Sequence, residues 1–224
     1  MKLPRFYPIL DVQSVRQRGL EISAVASQIL EGGATILQFR CKEFFGRDIF
    51  AELEQIADLC RRAGALLVVN DRADIARMLS SNGLTVGVHL GQEDLPPSDA
   101  RRVAGAAAII GLSTHNELEL REAESCAASQ SSDYLAFGPI FGTASKENPD
   151  PVVGLVELRR LRPLTARPLV AIGGITRANA CSVIDAGADS VAVIADLFPD
   201  DLSLGSGRIR ERVGEWLAIL ASDF

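Results

Sequence analysis

Short runs of apolar and β-branched residues recur along the chain, and between them lie segments whose apolar positions repeat every three to four residues. The first pattern reads as buried strand and the second as amphipathic helix. The runs Phe6–Asp11, Thr35–Arg40, Leu66–Asn70, Val86–Leu90, Ala108–Leu112, Tyr134–Phe137, Leu169–Ile172 and Ser190–Ile194 predict eight strands. The segments Ser23–Glu31, Arg47–Ala63, Ile75–Ser80, Asp99–Ala104, Glu117–Cys126, Leu155–Leu161, Arg177–Ala186 and Arg208–Ala221 predict eight helices. Strands that are apolar throughout need cover on both faces, and alternation with helices makes the neighbours parallel, joined by right-handed crossovers. Eight such units predict an α/β protein, a single (β/α)8 TIM barrel spanning residues 1–224 as one domain. The competing doubly wound sheet normally carries a nucleotide loop in its first turn, and neither G-x-G-x-x-G nor G-x-x-x-x-G-K-[ST] occurs.

Composition narrows the partners. The 224 residues are 47% hydrophobic and 23% charged, ordinary for a soluble globule. Twenty-three basic residues against 29 acidic ones leave a net charge of −6, with the positive residues scattered, so nucleic acid is not an expected partner. Cys41, Cys60, Cys126 and Cys181 form no C-x-x-C pair and read as reduced, buried thiols. The start of the chain has no apolar segment of signal-peptide length, and no run reaches a membrane span. These features predict a cytoplasmic protein without a membrane partner and leave oligomerisation open. The Ser-rich connection Ala127–Asp133 is of ordinary length; the exception is Gly138–Gly154, about twice the common loop length, rich in Gly, Pro, Thr, Ser and Lys, and so a candidate lid.

In a barrel the site forms where the strands end at their carboxyl side, so the polar residues closing each run carry the chemistry. The second run closes as Gln38-Phe39-Arg40-Cys41-Lys42. A period of two sets Gln38, Arg40 and Lys42 on one face and Leu37, Phe39 and Cys41 on the other, and if the apolar set meets the helices the cations point inward. Two cations converging at a barrel mouth are costly without an anion. Asn70-Asp71 ends the third run and His89 to Asp94 the fourth; two carboxylates from neighbouring strands, with no His/Cys cluster, suit Mg²⁺, although either Asp could instead cap a helix. Ser113 follows the fifth run as a phosphate hydrogen-bonding group, with Asn116 as a helix cap, His115 as a solvated or capping histidine and His89 as a satisfied core residue. The lid adds Thr143, Ser145 and Lys146, and Gly173-Gly174 with Ile194-Ala195 marks the usual barrel phosphate cradle. The inventory fits two anionic pockets in one mouth: a cationic, Mg²⁺-assisted one for pyrophosphate and a backbone cradle for a monophosphate.

These motifs, in this order, resemble the thiamine-phosphate synthase family. They are Gln38 to Lys42, Asn70-Asp71-Arg72, Val88 to Asp94, Gly111 to His115, Gly138-Pro139-Ile140-Phe141 through Lys146, and Ile172-Gly173-Gly174-Ile175. The resemblance extends from Tyr7 to about Phe198. It implies a Mg²⁺-dependent transferase joining 4-amino-2-methyl-5-(diphosphomethyl)pyrimidine to thiazole phosphate, with release of pyrophosphate. It further implies a pyrophosphate site on Gln38, Arg40, Lys42, Asn70, Ser113 and Lys146, with Arg40, Lys42 and Lys146 catalytic and Mg²⁺ on Asp71 and Asp94. Thiazole phosphate would meet Thr143, Ser145, Gly174 and the backbone at Ile194-Ala195, and Phe39, Cys41 and Ala144 join the substrate-binding residues. The chain departs from the family pattern at Ala195, where Ser is usual, at Gly142, where Pro is common, and at Leu10, where Thr is frequent. Two rival readings remain open. A thiazole tautomerase-like isomerase would share the cradle but need a proton-transfer residue in place of the full charged set, and a phosphate-ligand sensor would not need that set at all.

Overall fold

The computed structural model describes residues 2–80, 83–125, 132–143, 151–199 and 207–221. Within them eight strands form: β1 (Phe6–Asp11), β2 (Ile36–Arg40), β3 (Leu66–Asn70), β4 (Val86–Leu90), β5 (Ile109–Thr114), β6 (Tyr134–Phe137), β7 (Leu169–Ile172) and β8 (Ser190–Val193). They pair in parallel in chain order, and β8 returns to β1 with Phe6 opposite Val191, closing the barrel. The period of two is visible in the core. Ile36, Val68, Tyr134, Ala136, Val170 and Ala192 fill the interior. Their neighbours Leu37, Phe39, Leu67, Val69, Leu135, Phe137, Ala171 and Val191 turn outward to meet the helices. Below the strand ends both sets are apolar, which is why the strands read as nearly continuous apolar runs until their last residues.

The helices are α1 (Val12–Arg16), α2 (Ile22–Glu31), α3 (Arg47–Ala63), α4 (Ala73–Ser80), α5 (Pro97–Ala104), α6 (Glu117–Glu124), α7 (Gly154–Leu161), α8 (Ala180–Asp185) and α9 (Arg208–Ala221), with 3-10 turns at Arg162–Leu164 and Ala195–Leu197. The stripe Ile49, Leu53, Ile56, Ala57 and Cys60 buries one face of α3, which stops at Gly64 in the left-handed conformation (φ 65°). Helix α9 completes the outer layer: Trp216 stacks on Phe6 with centroids 5.5 Å apart, and Val213 fills the space a side chain at Gly32 of α2 would need.

Three differences from the sequence pattern have local causes. Helix α1, which no apolar stripe announces, is a single capped turn: Asp11 Oδ1 accepts from Ser14 N–H at 2.9 Å. Strand β5 runs two residues past Leu112 because Ser113 and Thr114 stay paired with Ala136 and Phe137. Helix α8 begins at Ala180 rather than Arg177, because Asn179 spends its side chain on Thr176 N–H (2.8 Å) and the Gly174 carbonyl (3.1 Å), holding the preceding turn out of the helix. The expected end of the sixth helix at Cys126 and most of Ala127–Asp133 lie outside the described residues.

Candidate active site

At the carboxyl ends of the strands the barrel opens into a cavity. It is lined by Ile9, Gln38, Arg40, Asn70, His89 and Ser113 on one side, and by Thr143, Ile172, Gly173, Gly174, Ile194, Ala195 and Asp196 on the other. The residues expected from β2 divide as their alternation dictates. Gln38 and Arg40 face the cavity, and Gln38 Nε2 donates to Asn70 Oδ1 at 3.5 Å. Phe39 and Cys41 do not: Phe39 is buried among the outward residues and Cys41 packs beside them. Neither side chain lines the cavity, unlike Gln38 and Arg40.

The charged groups assemble at the rim. Arg40 is tied to Asp11, whose other oxygen caps α1. Lys42 Nζ donates to Asp71 Oδ2 at 2.6 Å, with its side chain about half exposed (52%). Such an exposed pair adds about 0–1 kcal/mol to stability, so folding alone does not account for it. Asp71 itself occupies the left-handed region (φ 65°), its N–H held by the His89 carbonyl at 2.8 Å. This strained position turns the carboxylate back over the strand ends. Asp94 Oδ2 accepts from Gly91 N–H at 2.7 Å, which orients it within its own loop rather than as a helix cap. Burial pushes the Asp94 carboxyl above its ordinary value and the Asp71 carboxylate beside it pushes it further, while Gly91 N–H and Lys42 work against the rise. An Asp94 carboxyl raised in part by the carboxylate beside it marks a donor pair in need of positive charge, and the oxygens fit a hard divalent cation that keeps several waters. Among the described residues no group of three or more His, Cys, Asp or Glu forms a metal cage.

Across the mouth, the loop after β6 lies over the Gly173-Gly174 turn: Ile140 N–H donates to the Ile172 carbonyl at 2.8 Å and Phe141 N–H to the Gly173 carbonyl at 3.0 Å. Both glycines have positive φ (99° and 61°), and a Cβ on either would collide with Pro139 or the Gly142 carbonyl. Thr143 reaches the cavity; Ala144, Ser145 and Lys146 lie outside the described residues.

The comparisons with known proteins agree with this geometry. The family model described as "Thiamine monophosphate synthase" matches residues 6–197. The chain belongs to this family. It is 46% identical to the thiamine-phosphate synthase of Koribacter versatilis (strain Ellin345) over 99% of this chain and 98% of the relative. It is 39% identical to that of Chloroflexus aurantiacus, over 93% and 92% respectively. A solved thiamine phosphate pyrophosphorylase from Pyrococcus furiosus superposes with a TM-score of 0.78 at 31% identity, covering 97% of this chain and 95% of that one. Members of this family are transferases of thiamine biosynthesis, and the chain shares that class.

The structure adds residues that the strand-end reading did not select. Asp11 holds Arg40, and the rule that picks Asp71 out of the third strand end would have picked it out of the first. Asp196 lines the cavity beside Ala195 and is held by Arg177 Nε at 3.1 Å. His89 is satisfied, as its place in a strand suggested, but it also faces the cavity, paired with Ser113 and Tyr134. No signal in a single sequence reveals those two partners. His115 bonds Glu119 through Nδ1 at 2.9 Å, and Asn116 caps α6 by accepting from Glu119 N–H at 3.0 Å. Leu10 is buried toward the helices, so its difference from the family pattern touches packing and not the cavity.

Proposed function

We propose that this cavity joins 4-amino-2-methyl-5-(diphosphomethyl)pyrimidine to thiazole phosphate, with Mg²⁺ held by Asp71 and Asp94. One observation carries the reading: Lys42, just past β2, meets Asp71 after β3, Asp71 adjoins Asp94 after β4, and Arg40, held by Asp11, faces the cavity that reaches across to the Gly173-Gly174 turn. Bound there, the metal supplies neutralisation of the negative charge that gathers on the leaving pyrophosphate. Arg40, braced by Asp11, and Lys42 grip the diphosphate oxygens, with Gln38, Asn70 and Ser113 donating hydrogen bonds and Lys146 as a further cation for the diphosphate. As the methylene carbon–oxygen bond lengthens, these fixed cations lower the energy of the departing anion without having to reorganise. The thiazole nitrogen supplies the electron pair for the new carbon–nitrogen bond. Its phosphate is assigned to Thr143, Ala144, Ser145, Gly174, Ile194 and Ala195, and at the Gly173-Gly174 turn the backbone can approach it closely.

The tautomerase and sensor readings lose ground, because neither needs paired carboxylates beside a fixed arginine and lysine. We also read the whole chain as one domain acting in the cytoplasm, in keeping with the free thiols of Cys41, Cys60 and Cys181. Among the described residues no helix is long and apolar enough to cross a membrane. The reading is tested by incubating the protein with both substrates and Mg²⁺ and following pyrophosphate. Release should require all three components, and release that ignores thiazole phosphate would contradict the coupling.

A further inference from the structure

A hydrogen-bonded chain crosses the barrel interior beneath the cavity. Tyr7 Oη lies 2.7 Å from Tyr134 Oη, Tyr134 Oη lies 3.1 Å from His89 Nδ1, and His89 Nε2 lies 2.9 Å from Ser113 Oγ. Ring contacts fix its members: His89 stacks on Tyr134 with centroids 5.6 Å apart, and Tyr7 meets Tyr134 edge-on at 6.1 Å. Gly111 clears the path, since a Cβ there would run into the Tyr134 phenol. Burial raises the pKa of both tyrosines, so each hydroxyl keeps its proton.

With the imidazole in its neutral form, three hydroxyls and the ring bring four protons to the three contacts Tyr7–Tyr134, Tyr134–His89 and His89–Ser113, and the chain can run in two directions. In the first, Tyr7 donates to Tyr134, Tyr134 to Nδ1 of His89, and Nε2–H of His89 to Ser113 Oγ, which leaves the Ser113 proton for a ligand. In the second, every bond reverses: Ser113 turns a lone pair to the cavity and the surplus proton sits on Tyr7. Among the described residues Tyr7 Oη has no hydrogen-bond partner besides Tyr134, so the second direction strands a buried donor. It also sets lone pair against lone pair when the ligand is an anion. We propose that Tyr7, Tyr134 and His89 are positioning residues: they hold His89 as its Nε2–H tautomer and thereby aim the Ser113 hydroxyl proton at an oxygen of the bound diphosphate. The direction follows from the chain itself, whereas the ligand rests on the function proposed above.

His89 and His115 are the two histidines of the sequence, so long-range proton–nitrogen correlation spectra of histidine-labelled protein report the tautomer directly. Wild type should show His89 with Nε2 protonated and Nδ1 bare, and Tyr134→Phe, which removes the donor to Nδ1, should shift it toward a mixture. A wild-type Nδ1–H tautomer, or a tautomer indifferent to Tyr134→Phe, would overturn the proposal. Inhibition by inorganic pyrophosphate with Mg²⁺ supplies the second readout. His89→Leu should weaken it about tenfold, the order expected for losing control of one hydrogen bond to a charged group. His89→Gln, whose amide N–H can replace Nε2–H, should recover most of that loss. In a Ser113→Ala background His89→Leu should cost nothing further, and losses that simply add would also overturn the proposal. If wild type failed to bind pyrophosphate, the diphosphate reading would fall, and the tautomer spectra would still decide the direction of the chain.

Discussion

Arg40 faces the cavity with part of its guanidinium already committed to Asp11. A lysine there could not serve the carboxylate and a phosphate with the same fork geometry. Arg40→Lys is therefore expected to lower kcat/KM by about a hundredfold or more, measured by pyrophosphate release; turnover within a few-fold of wild type would remove Arg40 from the leaving-group site. Asp71 makes a cleaner probe, because its left-handed backbone (φ 65°) suits asparagine as well as aspartate. Asp71→Asn should keep its melting temperature and demand more Mg²⁺ for half-maximal rate, and an unchanged metal titration would clear Asp71 of that role. Far from the cavity, burial pushes the Cys60 thiol from its ordinary 9.0 up to about 12. A raised folded-state pKa gives stability that is complete below pH 9 and drains away as the pH climbs toward 12. Urea unfolding at pH 8 and pH 10.5 should show wild type losing more stability than Cys60→Ala over that interval, and parallel losses would contradict it.

At the scale of elements, the strands were legible because each is a short, largely apolar run bounded by polar residues or glycine on at least one side, and the helices because α3 and α9 carry long buried stripes. What escaped was short or polar. Helix α1 exists by virtue of one aspartate cap, and the true start of α8 depends on where the Asn179 side chain goes, a tertiary matter. The glycines were legible only as turn formers. Gly173 and Gly174 do form a tight turn, but Gly111 sits within β5 to admit the ring of Tyr134 from the neighbouring strand. Gly111→Ala should accordingly destabilise the fold by about 1–3 kcal/mol through overpacking, read as a lower urea midpoint with an unchanged m-value. A midpoint equal to wild type would mean that Tyr134 has room to move.

For the molecule as a whole, closure of the barrel turns strand ends that are far apart in the chain into neighbours. Asp11, Arg40, Lys42, Asp71 and Asp94 come from the ends of four consecutive strands and meet because β1 to β4 pair in order. That convergence follows from fold class and strand-end position together, which is why Gln38, Arg40, Lys42, Asp71 and Asp94 could be selected without coordinates. The pairings themselves could not: that Arg40 takes Asp11 while Lys42 takes Asp71 depends on register and side-chain reach, and the chain Tyr7–Tyr134–His89–Ser113 joins four different strands through the interior. The central claim is that these charges exist to hold a diphosphate around a divalent cation. Calorimetric titration of wild type and Asp71→Asn/Asp94→Asn with inorganic pyrophosphate, each with and without Mg²⁺, tests it most directly. Wild type should bind tightly only when Mg²⁺ is present and the double variant should lose that dependence; equal wild-type binding in the absence of Mg²⁺ would contradict the account.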